Sequence, residues 1–156
     1  MGIAITLQKY LGQQNLQFDL VPHRRTETAL RTASVSHVPK DRLAKGVVLA
    51  DDAGYILAVL PASRQIHLAG VQGMLGRNMH FAAEKEIGSL FADCAPGAIP
   101  PVGRAYGLDV IVDASIDEQP DVYFEAGDHE TLIHMSRERF AQISGSAKHG
   151  QFSASQ

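Results

Sequence analysis

The stretch Leu43-Ala44-Lys45-Gly46-Val47-Val48-Leu49-Ala50-Asp51-Asp52-Ala53-Gly54-Tyr55-Ile56-Leu57-Ala58-Val59-Leu60 decides the fold class. Two apolar runs flank an Asp-rich loop closed by glycine. That pattern predicts a hairpin of two strands, 43–50 and 55–60. A second hairpin is expected over 122–126 and 131–135, around Gly127-Asp128. Outward from these, strands are expected over 16–21, where Pro22 stops the chain, over 79–82 and over 108–112. Helical spacing appears in Ile3, Leu7, Tyr10 and Leu11, in Leu68, Val71 and Leu75, and in Ala83, Ile87, Leu90 and Phe91. A further helix is expected over 28–37, with Thr26 as its N-cap and Glu27 in its first turn. Ser136 is placed to cap a last helix through Ile143. Hairpins with helices scattered among them argue for an α+β class and a mixed, mostly antiparallel sheet with flanking helices. Residues 1–144 read as one compact domain. Residues 145–156, small and polar, are expected to be a disordered tail.

The chain has 156 residues, 45 % of them hydrophobic and 20 % charged, which suits one globular domain. Acidic residues outnumber basic ones, 17 to 14, for a formal charge of −3. No broad basic field exists to hold a polyanion, although contact with a nucleic acid at one end stays open. One cysteine excludes an internal disulfide. The longest apolar run, 55–60, is too short to span a membrane, and the N-terminal residues lack a basic segment before a long apolar run. A cytoplasmic location with no membrane partner is expected. No Gly-x-Gly-x-x-Gly or Walker pattern is present, and the seven histidines show no zinc-like spacing. Neither a cofactor nor a metal is therefore expected.

Lys45 is the unusual polar position. Period-two alternation puts it on one strand face with Leu43, Val47 and Leu49. It either aims an ammonium at a ligand or snorkels out past Leu43. Gly97-Ala98-Ile99-Pro100-Pro101 is the second candidate. Gly97 can take a positive φ, and the prolines stiffen the loop. Its free N–H groups, on Gly97, Ala98 and Ile99, then face either a ligand's developing oxyanion or only solvent. Cys94 precedes the loop and reads as a buried thiol rather than a nucleophile, since no base is placed beside it. His23 lines a cleft or caps a loop. His129 falls at a hairpin turn, where a surface histidine is ordinary. Asp51, Asp52, Asp128 and Glu130 sit in turns, where local hydrogen bonding explains them.

In order along the chain stand the strand with its single lysine, the Gly-x-x-x-Pro loop with Val102-Gly103 behind it, Val122-Tyr123-Phe124-Glu125-Ala126-Gly127, and Thr131-Leu132-Ile133-His134-Met135 before the closing helix. This series resembles the YbaK-like family, aminoacyl-tRNA deacylase domains related to the editing insertion of bacterial prolyl-tRNA synthetase. The resemblance covers about residues 1–144. It implies a barrel-like sheet and hydrolysis of the ester joining a wrong, small amino acid to the terminal adenosine of a tRNA. It maps Lys45 onto the family's essential lysine and Gly97, Ala98, Ile99 and Pro101 onto its loop. Pro22-His23, Thr26 and Thr28 resemble the segment at the pocket mouth, and His129 lies near a pocket histidine. Pro100 stands where many relatives have serine, removing a hydroxyl and an N–H beside the substrate. The implied partners are the aminoacylated end of a tRNA and a delivering synthetase. A non-catalytic binding module of the same fold is the second expectation.

Overall fold

The computed structural model describes residues 2–155; Met1 and Gln156, the outer ends of the expected domain and tail, lie outside them. The first hairpin forms as β2 (Leu43–Asp51) and β3 (Gly54–Pro61), in register from Ala44↔Pro61 to Asp51↔Gly54. Gly54 takes φ 136° at its tip. The Asp51 carboxylate accepts from the Ala53 amide at 2.9 Å and from Arg77 Nε at 2.8 Å, so the turn is clamped from inside and outside. The second hairpin forms as β7 (Asp121–Glu125) and β8 (Thr131–Ser136).

The other sheet strands are β1 (Asp19–Pro22), β5 (His80–Phe81), β6 (Asp109–Asp113) and β9 (Lys148–Gly150). The order is β1-β8-β7-β2-β3-β6-β9, with β5 added on β2. β2–β7, β3–β6 and β6–β9 are parallel and the other pairs are antiparallel. The α+β class with a mixed sheet is as expected. Along the described residues the sheet runs open from β1 to β9 and does not close on itself.

The helices are α1 (Ile5–Gln14), α2 (Ala29–Ser36), α3 (Leu68–Leu75), α4 (Glu84–Leu90), α5 (Ala114–Asp117) and α6 (Arg137–Ser144). Among the described residues none is long and apolar enough to cross a membrane. Ser136 caps α6 as expected, accepting from the Arg139 amide at 3.2 Å. The cap of α2 is Thr28 and not Thr26: the Thr28 hydroxyl accepts from the Arg31 amide, while Thr26 turns inward.

Both faces of the central hairpin are covered, which is why its strands read as nearly continuous apolar runs. Ala44, Val48 and Leu57 join the larger core under α1 and α6. Leu49, Ile56 and Leu60 join a second core with Val71 and Phe152. Leu43 packs with Ala33 and Leu132 in a third.

The expectation of a disordered tail over 145–156 is corrected. β9 pairs with β6, and β10 (Ser153–Ser155) pairs with β4 (Arg64–Ile66). Phe152, the one large apolar residue there, is buried. Its amide donates to Asp113 at 3.0 Å, and its carbonyl accepts from the His67 amide at 2.7 Å. Polar composition misleads because the segment's partners lie far back in the chain.

Candidate active site

The site begins with a break in the sheet. β2 pairs with β7 only at Leu43↔Tyr123 and Ala44↔Phe124. Its pairing with β5 covers Leu49 and Ala50, with the Ala82 amide donating to the Val48 carbonyl at 3.0 Å. Between these points the edge of β2 is open. Alternation turns the N–H and C=O of Gly46 toward the opening. One more step of the β2–β7 register would set Lys45 opposite Glu125.

The loop over residues 97–101 fills part of this opening. It packs onto β2 at Gly46, where an added Cβ would stand 3.4 Å from Pro101 Cα, and on the hairpin itself the same Cβ would meet Leu57 Cδ1 of β3 at 2.9 Å. What remains is a small cleft walled by Ala29, Leu43, Lys45, Gly97, Ile99 and Glu125. Lys45 and Gly97 thus share one cavity. Leu43 and Leu49, on the same strand face, are fully buried, and Lys45 sits half-buried between the two core clusters that they join. Partial burial pushes its pKa below the ordinary lysine value, with no carboxylate pulling it back.

Gly97 takes φ 81°, a conformation that favours glycine. Its turn is closed by the Ala98 amide, which donates to the Ala95 carbonyl at 3.0 Å. That corrects the expectation of a free Ala98 amide: it is already bonded, and its side chain is buried. Among the described residues, the Gly97 and Ile99 amides donate to no protein group. Pro100 and Pro101 are buried behind the loop and shape it from beneath.

His129 is no surface residue. Its side chain is 1 % exposed, its backbone sits at φ 63°, and its Nε2 donates to the Pro96 carbonyl. Its Cε1 lies 3.3 Å from where a Gly97 Cβ would stand. The turn that presents it is tied by Asp128, which accepts from the amides of Glu130 and Thr131, both at 2.9 Å.

His23 and Thr26 act on the cleft through Glu125. His23 Nδ1 donates to the Arg24 carbonyl at 2.6 Å, and Nε2 meets Glu125 Oε1 at 3.2 Å. His23 thus bridges the Arg24 carbonyl and the Glu125 carboxyl and fixes the position of the latter. Thr26 and Thr32 hydroxyls meet at 2.5 Å, and the Thr32 hydroxyl is shared between the Thr28 carbonyl at 3.0 Å and Glu125 Oε2 at 3.2 Å. Burial raises the Glu125 pKa, while His23, Thr32 and His129 pull the other way. Sequence reasoning missed Glu125. On its strand it alternates with buried Val122 and Phe124, so it reads as a solvent-facing carboxylate.

Cys94 has the surroundings of a protonated thiol. Burial pushes its thiol up to about 11, and its neighbours are Tyr106, at 3.3 Å, and Asp93. Among the described residues no group of three or more His, Cys, Asp or Glu is placed to hold a metal ion. A second, more apolar groove adjoins the cleft, sharing Gly46, Gly97 and Ile99 with it and running between Phe81, Ile87 and Phe91.

A small α+β domain with a charged cleft at an open strand edge, roofed by a stiff glycine-proline loop, is the class that this geometry defines. The profile of the aminoacyl-tRNA editing domain matches residues 23–143, and the chain belongs to that family. No curated protein matches it. Among solved structures it is similar to a proposed trans-editing enzyme for prolyl-tRNA synthetase, at 20 % identity and TM-score 0.85, over 97 % of this chain and 96 % of that one. It is also similar to a hypothetical protein at 20 % identity and TM-score 0.84, over 96 % and 99 %. A proposed signal transduction protein from Marinobacter aquaeolei VT8 matches at 23 % identity and TM-score 0.78, over 96 % of this chain and 30 % of that one. At these identities the likenesses speak for the fold.

Proposed function

We propose that the chain is a free-standing trans-editing hydrolase, an aminoacyl-tRNA deacylase that removes a small, wrongly attached amino acid. The observation that carries this reading is the single cleft shared by Lys45, the two unbonded loop amides and Glu125. An aminoacyl ester is already activated, so positioning and an oxyanion site suffice. Water attacks the carbonyl carbon, and the amides of Gly97 and Ile99 donate to the oxygen on which charge develops. The ester C–O bond then breaks. The leaving ribose oxygen takes a proton, and the water's proton passes by way of the neighbouring ribose hydroxyl.

Lys45 anchors a phosphate or another polar group of the acceptor end. Arg24, Arg25 and Arg31, exposed on the segment flanking Ala29, add local positive charge despite the net −3. Ala29, Leu43 and Ile99 limit the size of the side chain admitted. Steric rejection matters because an extra methylene discriminates by only about 1–3 kcal/mol through burial. The partners are the acceptor end of a tRNA and a synthetase that delivers it, in the cytoplasm. Deacylation of a panel of tRNAs mischarged with alanine, serine, threonine and cysteine tests this reading.

A further inference from the structure

Glu125 is a buried carboxylate with a defined orientation and no role in the chemistry above. Its side chain is 12 % exposed. Both oxygens are held, one by His23 and one by the Thr32 hydroxyl, and Thr32 is itself held by Thr26. Three elements therefore fix it: the end of β1, helix α2 and β7. Holding a carboxylate this way in a small cavity carries a desolvation penalty, which raises its pKa. Such an arrangement persists where the charge meets a ligand.

The titratable groups that face it are His23, His129 and, across the opening, Lys45. Glu125 lies against His23 Nε2, while among the described residues Lys45, which lines the same cleft, makes no ion pair. Lys45 thus brings an ammonium to the β2 side of the cleft and Glu125 a carboxylate to the β7 side. An aminoacyl ester entering it carries one cation beside the reacting carbon, its α-ammonium. Lys45 repels that group and Glu125 attracts it, so the pair sets the direction in which the ester lies.

We propose that Glu125 anchors the α-ammonium of the aminoacyl group and so restricts this site to esters with a free amine. The inference rests on the editing reading and deepens it. A role as general base is the main competitor. A base would act on any ester, whereas an anchor acts only on one with an ammonium.

The test uses a stable amide analogue, 3′-deoxy-3′-(alanylamino)adenosine, and its N-acetyl form. Binding of both to the full chain is measured by calorimetry below the pKa of the ammonium. A charge-assisted contact predicts that the free amine binds roughly 10- to 100-fold tighter. Glu125→Gln, checked for folding by circular dichroism, should bring the two affinities together. Equal affinities for the wild-type chain overturn the proposal, as does failure to bind either analogue. A preference that survives in Glu125→Gln overturns it too. If Glu125→Gln does not fold, the wild-type comparison still decides. Failure of the editing reading shows separately, as a wild-type chain that hydrolyses no mischarged tRNA.

Discussion

Lys45 and Glu125 stand one step beyond the last paired residues of β2 and β7, on two walls of one cleft, yet Glu125 pairs with His23 instead. Opposite charges left unjoined across a partly buried gap leave two groups ready to meet a ligand. The gap itself follows from topology. β7 leaves β2 after Ala44, β5 joins it at Leu49, and the loop carrying Gly97 enters between them.

Gly97 is the first place to test the loop. Its φ of 81° disfavours a side chain, and a Cβ there would come within 3.3 Å of the His129 ring. Gly97→Ala keeps the amide but displaces it, and should lower kcat/KM for deacylation by at least about tenfold, short of the 10²–10³ that removing an oxyanion donor outright costs in other sites. The melting temperature should also fall by a few degrees, because alanine is strained at this positive φ, so folding of the variant is checked first.

Cys94 offers a negative test. A thiol pushed to about 11 stays protonated at neutral pH. Cys94→Ser should keep deacylation within a few-fold of wild type, and iodoacetamide should label the folded chain slowly. Loss of activity in Cys94→Ser would point to a thiol mechanism.

The C-terminal segment is predicted to be part of the fold. Phe152 is buried against Val71 and the face of the central hairpin. Phe152→Ala should destabilise the chain by about 3–5 kcal/mol in urea unfolding. A change below about 1 kcal/mol would mean that the tail contributes nothing.

Asp51 gives the pH dependence its sign. Its hydrogen bond to Arg77 holds the carboxyl at about 2, below the roughly 3.9 of an unfolded aspartate. A depressed folded value contributes stability above the unfolded pKa and loses it as pH falls toward the folded one. The difference in urea midpoint between wild type and Arg77→Met should be constant above about pH 5 and shrink toward zero near pH 2.

Local signals carried much of this account. The hairpin of β2 and β3 and the cap at Ser136 rest on residues whose chemistry is visible nearby in the chain, whereas the meeting of Lys45 with the distant Gly97 loop was implied only by the family resemblance. The parallel pairs were not legible, because β6 finds β3 and β7 finds β2 across long intervals. Glu125 was hidden for that reason: only the β2–β7 register brings it to the cleft. The Thr26 cap was misplaced by two residues because its hydroxyl serves Thr32 instead of the helix end. The Ala98 amide looked free until the turn that it closes was known.

The most direct measurement is hydrolysis of a panel of mischarged tRNAs by the wild-type chain and by Lys45→Ala, with both proteins shown to be folded. The account predicts that the wild-type chain deacylates at least one tRNA carrying a small amino acid, and that Lys45→Ala loses about 100-fold or more in kcat/KM, the scale of removing a positioned charge. Wild-type turnover retained in Lys45→Ala, or no turnover of any member by the wild-type chain, would contradict it.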